Sequence, residues 1–144
     1  MKEYFIFNVK KEFYTLYRER PNELFYIFNR IYYMKFIDKE YGYNLFEQIS
    51  MFLNKEDVND FIYNKYKDKI MYSINGNEHI INNLFLNEIS ILNVKSSNIR
   101  IDTNNERCSF FKDLKEFSNT FFVCDFKEQE YFFLKDYKIK EKSN

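Results

Sequence analysis

The period of the apolar residues changes along this chain, and those changes limit the folds open to it. Tyr4 to Val9 is an apolar and aromatic segment, with Asn8 as its one polar residue, bounded by charges. Its length suits a strand buried on both faces, not a helix. From Lys10 to Arg20 the spacing turns helical, with Phe13, Leu16 and Tyr17 at i, i+3 and i+4. Pro21 ends that short helix and can open the next, because its fixed φ and missing N–H suit a first helical turn. From Asn22 to Phe36, Leu24, Phe25, Phe28, Ile31 and Tyr32 form one stripe. After Lys69 the pattern becomes that of strands. Strand, three or four helices, several strands, helix and two strands predict an α+β domain, its helices packed on a mostly antiparallel sheet.

Local signals place the boundaries. Gly42 reads as a break, and Asn44 as the cap of a helix running to about Leu53, with Leu45, Ile49, Phe52 and Leu53 inward. Asn54 can cap a further helix bearing Val58, Phe61, Ile62 and Tyr66; the pattern allows two helices or one bent one. Ile70 to Ile74 and His79 to Ile81 flank Asn75-Gly76, a dipeptide suited to a type I′ turn. Ile89 to Val94 and Ile99 to Asp102 flank Lys95 to Asn98 as a second hairpin. Thr103-Asn104-Asn105-Glu106 has the capping-box pattern, predicting a helix from Asn104 to Phe117 with Phe110, Phe111, Leu114 and Phe117 buried. Thr120 to Cys124 and Tyr131 to Leu134 are strand-like. With no repeat or linker, residues 1–144 read as one domain, whose polar tail from Lys138 is expected to fray.

Aromatic residues are 22% of the chain, 18 Phe and 13 Tyr, with no Trp, no Ala and only two Gly. Phe, Tyr, Asn, Lys and Ile share AT-rich codons, so genome bias accounts for this without a large binding surface. Lys plus Arg number 22 and Asp plus Glu 22, so there is no basic surplus for nucleic acid. No apolar run could span a bilayer, and the N-terminus lacks the pattern of a signal peptide. The chain therefore reads as cytoplasmic, with Cys108 and Cys124 as reduced thiols.

Candidate chemistry is sparse. His79 is the one imidazole, and an arrangement with Cys108 or Cys124 and Asp125 has no support in spacing. Cys124 falls in an apolar strand, where a free Cys acts as a small hydrophobe, and His79 reads as a strand surface residue. No zinc-ligand spacing and no Gly-rich phosphate loop are present, so no metal or cofactor is expected. Tyr4 to Phe7 and Tyr131 to Phe133 could stack single-stranded bases, but lack alternating Arg and Lys. Phe13 and Tyr17 stand one helical turn apart among charged neighbours. Either they pack under the long helix, or Leu16 supplies the inward anchor and leaves the two rings as a protein contact.

The run EYFIFNVKKEFYTLYRERPNELFYIF resembles the start of the SirA family, the sporulation inhibitors of replication: an aromatic strand, a Lys/Glu-rich turn, Phe, then Tyr four residues on. FFKDLKEFSNTFFVCDFKEQEYFFL resembles the family's ending, while Lys35 to Ile101 is similar only loosely. The resemblance implies a non-enzymatic inhibitor that binds the N-terminal domain of the replication initiator DnaA and restrains initiation as sporulation begins, without binding DNA itself or a membrane. It implies contacts through Phe13 and Tyr17 and through a Gln-x-x-Tyr stretch on a later helix. That stretch is Gln48-Ile49-Ser50-Met51 here, with Met51 where the family has Tyr.

Overall fold

In the computed structural model, which describes residues 1–138, strand β1 (Lys2–Val9) organises everything else. Its period of two sends Tyr4 and Ile6 to one side, and Phe5, Phe7 and Val9 to the other. Three helices follow: α1 (Lys11–Tyr17), α2 (Pro21–Met34) and α3 (Lys39–Ile49). Then come β2 (Ser50–Met51), α4 (Lys55–Tyr66), β3 (Tyr72–Asn75), β4 (Glu78–Asn83), β5 (Glu88–Val94) and β6 (Ile99–Thr103). Helix α5 (Ser109–Phe117), β7 (Phe121–Asp125), β8 (Glu130–Phe133) and a 3₁₀ turn (Leu134–Asp136) complete the described chain.

The strands form one antiparallel sheet in the order β3-β4-β5-β6-β1-β7-β8. β6 pairs with Lys2 to Ile6 of β1, and β2 takes over at Asn8 and Val9. Helices cover both faces. Val58 and Ile62 of α4 and Phe110, Phe111 and Leu114 of α5 pack with Tyr4, Ile6, Leu92 and Ile101. Leu24, Phe25 and Phe28 of α2 and Phe46 and Ile49 of α3 pack with Phe7, Val9, Phe122 and Cys124. Phe7 stacks on Phe28 at 4.3 Å between ring centroids. The α+β class and the antiparallel sheet are as the periodicity predicts. Pro21 occupies the first turn of α2, and the Asn54 side chain caps α4 by accepting from the Asp57 N–H at 3.1 Å.

Several local expectations are corrected. Gly42 does not break a helix; it lies buried inside α3, and Asn44 is an exposed residue of the same helix. The cap is Asp38, whose carboxylate accepts from the Tyr41 N–H. Gly42 serves close approach: a Cβ there would lie 2.9 Å from Met34 Cβ of α2. The helix ends at Ile49, because Ser50 is extended and pairs with β1; α3 and α4 are therefore separate. Phe52 is not inward but 47% exposed. The first hairpin turns on Gly76-Asn77 with only Gly76 at positive φ (62°), as in a type II′ rather than a type I′ turn. Ile70 lies fully exposed before the strand.

Thr103 is not a helix cap. It is the buried last residue of β6, and its hydroxyl accepts from the Asn105 N–H within a turn. Helix α5 starts at Ser109 and takes its cap from another element. Glu88 of β5 accepts from the Ser109 N–H at 2.9 Å and from the Ser109 and Ser90 hydroxyls. A carboxylate there also suits the positive end of the helix dipole. Of the tail expected to fray, residues 139–144 lie outside the described residues.

Candidate functional site

The first candidates lie where β1, α1, α3 and β2 meet. The Lys10 N–H donates to the Ile49 carbonyl at 2.9 Å, tying the start of α1 to the end of α3. The Ser50 hydroxyl donates to the Asn8 carbonyl at 3.1 Å, and Met51 stands opposite Asn8 in the β1–β2 pair. The Asn8 side chain is itself held by the Ser118 and Thr120 hydroxyls. The joint is therefore braced by backbone and polar side chains together.

Helix α1 is rotated from the expected orientation. Leu16 is not the inward anchor; it is 50% exposed. Tyr14 meets Phe133 edge-on at 5.1 Å and is half-buried, and no residue of α1 is fully buried. This leaves Phe13 and Tyr17 along the flank, half-buried, with rings nearly parallel (8°) and centroids 6.5 Å apart. Of the two alternatives, the one with Leu16 inward is corrected, and both rings rest partly buried against the α2–α3 core. The Arg20 guanidinium lies 5.7 Å from the Tyr17 ring centre and limits that ring's freedom.

Gln48 is exposed on the last turn of α3. Met51 is 41% exposed, and it sits on β2 rather than on a helix. Gln48 and Met51 thus belong to one exposed junction, which the Lys10–Ile49 bond joins to the root of α1. Two neighbours escaped the sequence reading. Phe52 follows Met51 on the surface, and Tyr43, 50% exposed on α3, lies 6.0 Å from it ring to ring. A helical stripe running through Phe52 hid them; only the strand at Ser50–Met51 turns Phe52 outward. The Glu47 carboxylate holds the Tyr43 phenol above its ordinary pKa through a hydrogen bond.

The other candidates are buried. His79 is not on the surface but 3% exposed, with Tyr72 at Nδ1 (2.7 Å) and Asn59 Oδ1 at Nε2 (2.8 Å). Among the described residues, neither ring nitrogen has a thiol or carboxylate as its hydrogen-bond partner. Burial pushes the Cys108 thiol up to about 12 and the Cys124 thiol well above its ordinary value, which suppresses the thiolate. Of the runs Tyr4 to Phe7 and Tyr131 to Phe133, read as able to stack bases, Tyr4, Ile6, Phe7 and Phe133 are buried, and Phe5, Tyr131 and Phe132 are partly buried against the two cores. Among the described residues, no three His, Cys, Asp or Glu side chains group as metal ligands. No described helix is long and apolar enough to cross a membrane.

A search of curated proteins returns no match to the chain. The family model described as "Sporulation inhibitor of replication protein SirA" matches residues 2–138, from the first residue of β1 to the last described residue. The match spans all the elements that build the sheet and the α1–α3 joint, and the chain belongs to the SirA family of sporulation inhibitors of replication.

Proposed function

We propose that this protein is a non-enzymatic inhibitor that binds the N-terminal domain of the replication initiator DnaA through the α1–α3 joint. The observation that carries the reading is the surface of α1, where Leu16 stands 50% exposed beside the half-buried rings of Phe13 and Tyr17. The three form an apolar edge supported by the core beneath it. Half-buried rings that are already ordered lose little entropy on docking, which is how aromatic hot spots concentrate affinity. Gln48 supplies a directional hydrogen bond beside them. Met51 supplies an adaptable apolar contact without the hydroxyl of the family's Tyr. Docking there would cover the initiator surface needed for assembly or for loading partners, so inhibition is steric.

The test is a titration of the full chain against the host's DnaA N-terminal domain. Phe13→Ala and Tyr17→Ala should each weaken binding more than tenfold, the equivalent of about 2 kcal/mol. Their circular dichroism and unfolding midpoints should stay near those of the parent chain. Retained affinity in both variants overturns the assignment of the joint. Unfolding of both shows instead that the rings belong to the core.

A further inference from the structure

Across the sheet from the joint, between the end of α4, the β4–β5 turn and the start of α5, lies a cavity of about 510 Å³. Three cations from three separate segments line it: Lys69 after α4, Arg107 before α5, and Lys112 in the first turns of α5. None of the three is in an ion pair among the described residues. The one acidic side chain on the wall is Asp113, which is 9% exposed and already accepts the Tyr66 hydroxyl. Burial raises the Asp113 pKa, while the Tyr66 hydroxyl and the nearby Lys69 and Lys112 act in the opposite direction. Three cations facing a single carboxylate leave the wall with a surplus of positive charge, which a multiply charged anion would offset.

The rest of the wall is of a different kind. Met71, Leu86 and Tyr137 give it an apolar side. Asn83 uses its carbonyl oxygen to accept the Phe85 and Leu86 N–H groups, which leaves its NH₂ as a donor on the wall. The volume exceeds what bare phosphate needs and falls within the range of small-molecule sites. We propose that this cavity binds a small organic phosphate of the nucleotide class, with Lys69, Arg107 and Lys112 on the phosphates and Met71, Leu86 and Tyr137 against the base. A monocarboxylate would neutralise one of the three cations, whereas a di- or triphosphate engages all of them. The site is on the α4–α5 face, opposite Phe13 and Tyr17, so it does not depend on the partner assignment.

The experiment is an NMR titration of the ¹⁵N-labelled full chain with ATP, GTP, adenosine and inorganic phosphate. Either nucleotide should produce saturable shifts at Lys69, Leu86 and Arg107 to Lys112, leaving the amides of Phe13 and Tyr17 unmoved. Adenosine should produce none, and phosphate should bind more weakly than the nucleotide. The doubly substituted Lys69→Glu, Lys112→Glu chain should lose at least about tenfold in affinity. Arg107→Gln, in an exposed turn, provides a second variant if that chain fails to fold. The proposal is overturned by absence of saturable shifts at millimolar nucleotide, by unchanged affinity in the charge variants, or by phosphate binding as tightly as ATP. Tighter binding of a single-stranded oligonucleotide than of the mononucleotide overturns the small-ligand assignment.

Discussion

Asn59 presents a carbonyl oxygen to His79 Nε2, which must therefore carry the proton, and Nδ1 is left to accept from the Tyr72 hydroxyl. This arrangement suits the neutral ring, and burial holds its pKa below the ordinary value of 6.5. The unfolded chain then binds more protons than the folded one just below that pH. The stabilisation is present above about pH 6.5 and is lost as pH falls through the depressed folded value. The chain has a single histidine, so its Cε1–H resonance can be followed without ambiguity. Its midpoint should lie below 6.5, and the urea midpoint of the parent should fall more between about pH 7.5 and about pH 5.5 than that of His79→Gln. A midpoint at or above 6.5 would remove the desolvated neutral ring from this account.

At the scale of elements, a helix can take its cap from a distant strand as well as from the residues beside it. Asp38 and Asn54 are both local caps; Asn54 is legible beside its helix, whereas reading Gly42 as a break hides Asp38. The cap of α5 is Glu88, 21 residues away in sequence, and no reading of Thr103 to Glu106 could find it. Gly42 shows the same limit. Glycine in a helix ordinarily costs about 1 kcal/mol relative to alanine, so propensity alone predicts that Gly42→Ala stabilises α3. The α2–α3 contact predicts the reverse, since the new methyl would meet Met34 Cβ at 2.9 Å, an atom with no freedom to swing away. The expected outcome is a loss of about 1–2 kcal/mol in chemical unfolding. A gain in stability would show that α2 and α3 separate easily.

At the scale of the whole molecule, one strand serves two cores. Ile6 faces α4 and α5, while Phe7 faces α2 and α3, where Phe28 stacks on it. Loss of either core removes one side of β1. Ile6→Ala and Phe28→Ala, both at fully buried positions, should each cost about 2–5 kcal/mol. Unfolding should stay a single transition, with far-UV and near-UV circular dichroism coincident. Separate transitions would show that the two layers fold independently. The sequence by itself determined the order of elements, the α+β class, the stripe of α2 and the aromatic edges of β1, β7 and β8. These follow from period and local chemistry, which act over a few residues. It also brought Phe13, Tyr17, Gln48 and Met51 forward, by family likeness. Only the tertiary structure decided that Phe13, Tyr14 and Tyr17 rather than Leu16 rest against the core, that His79 is buried, that Met51 on β2 and Phe52 after it turn outward, and that Lys69, Arg107 and Lys112 share a cavity. Each of those outcomes depends on which distant surface an element meets, and burial and charge proximity are properties of that meeting.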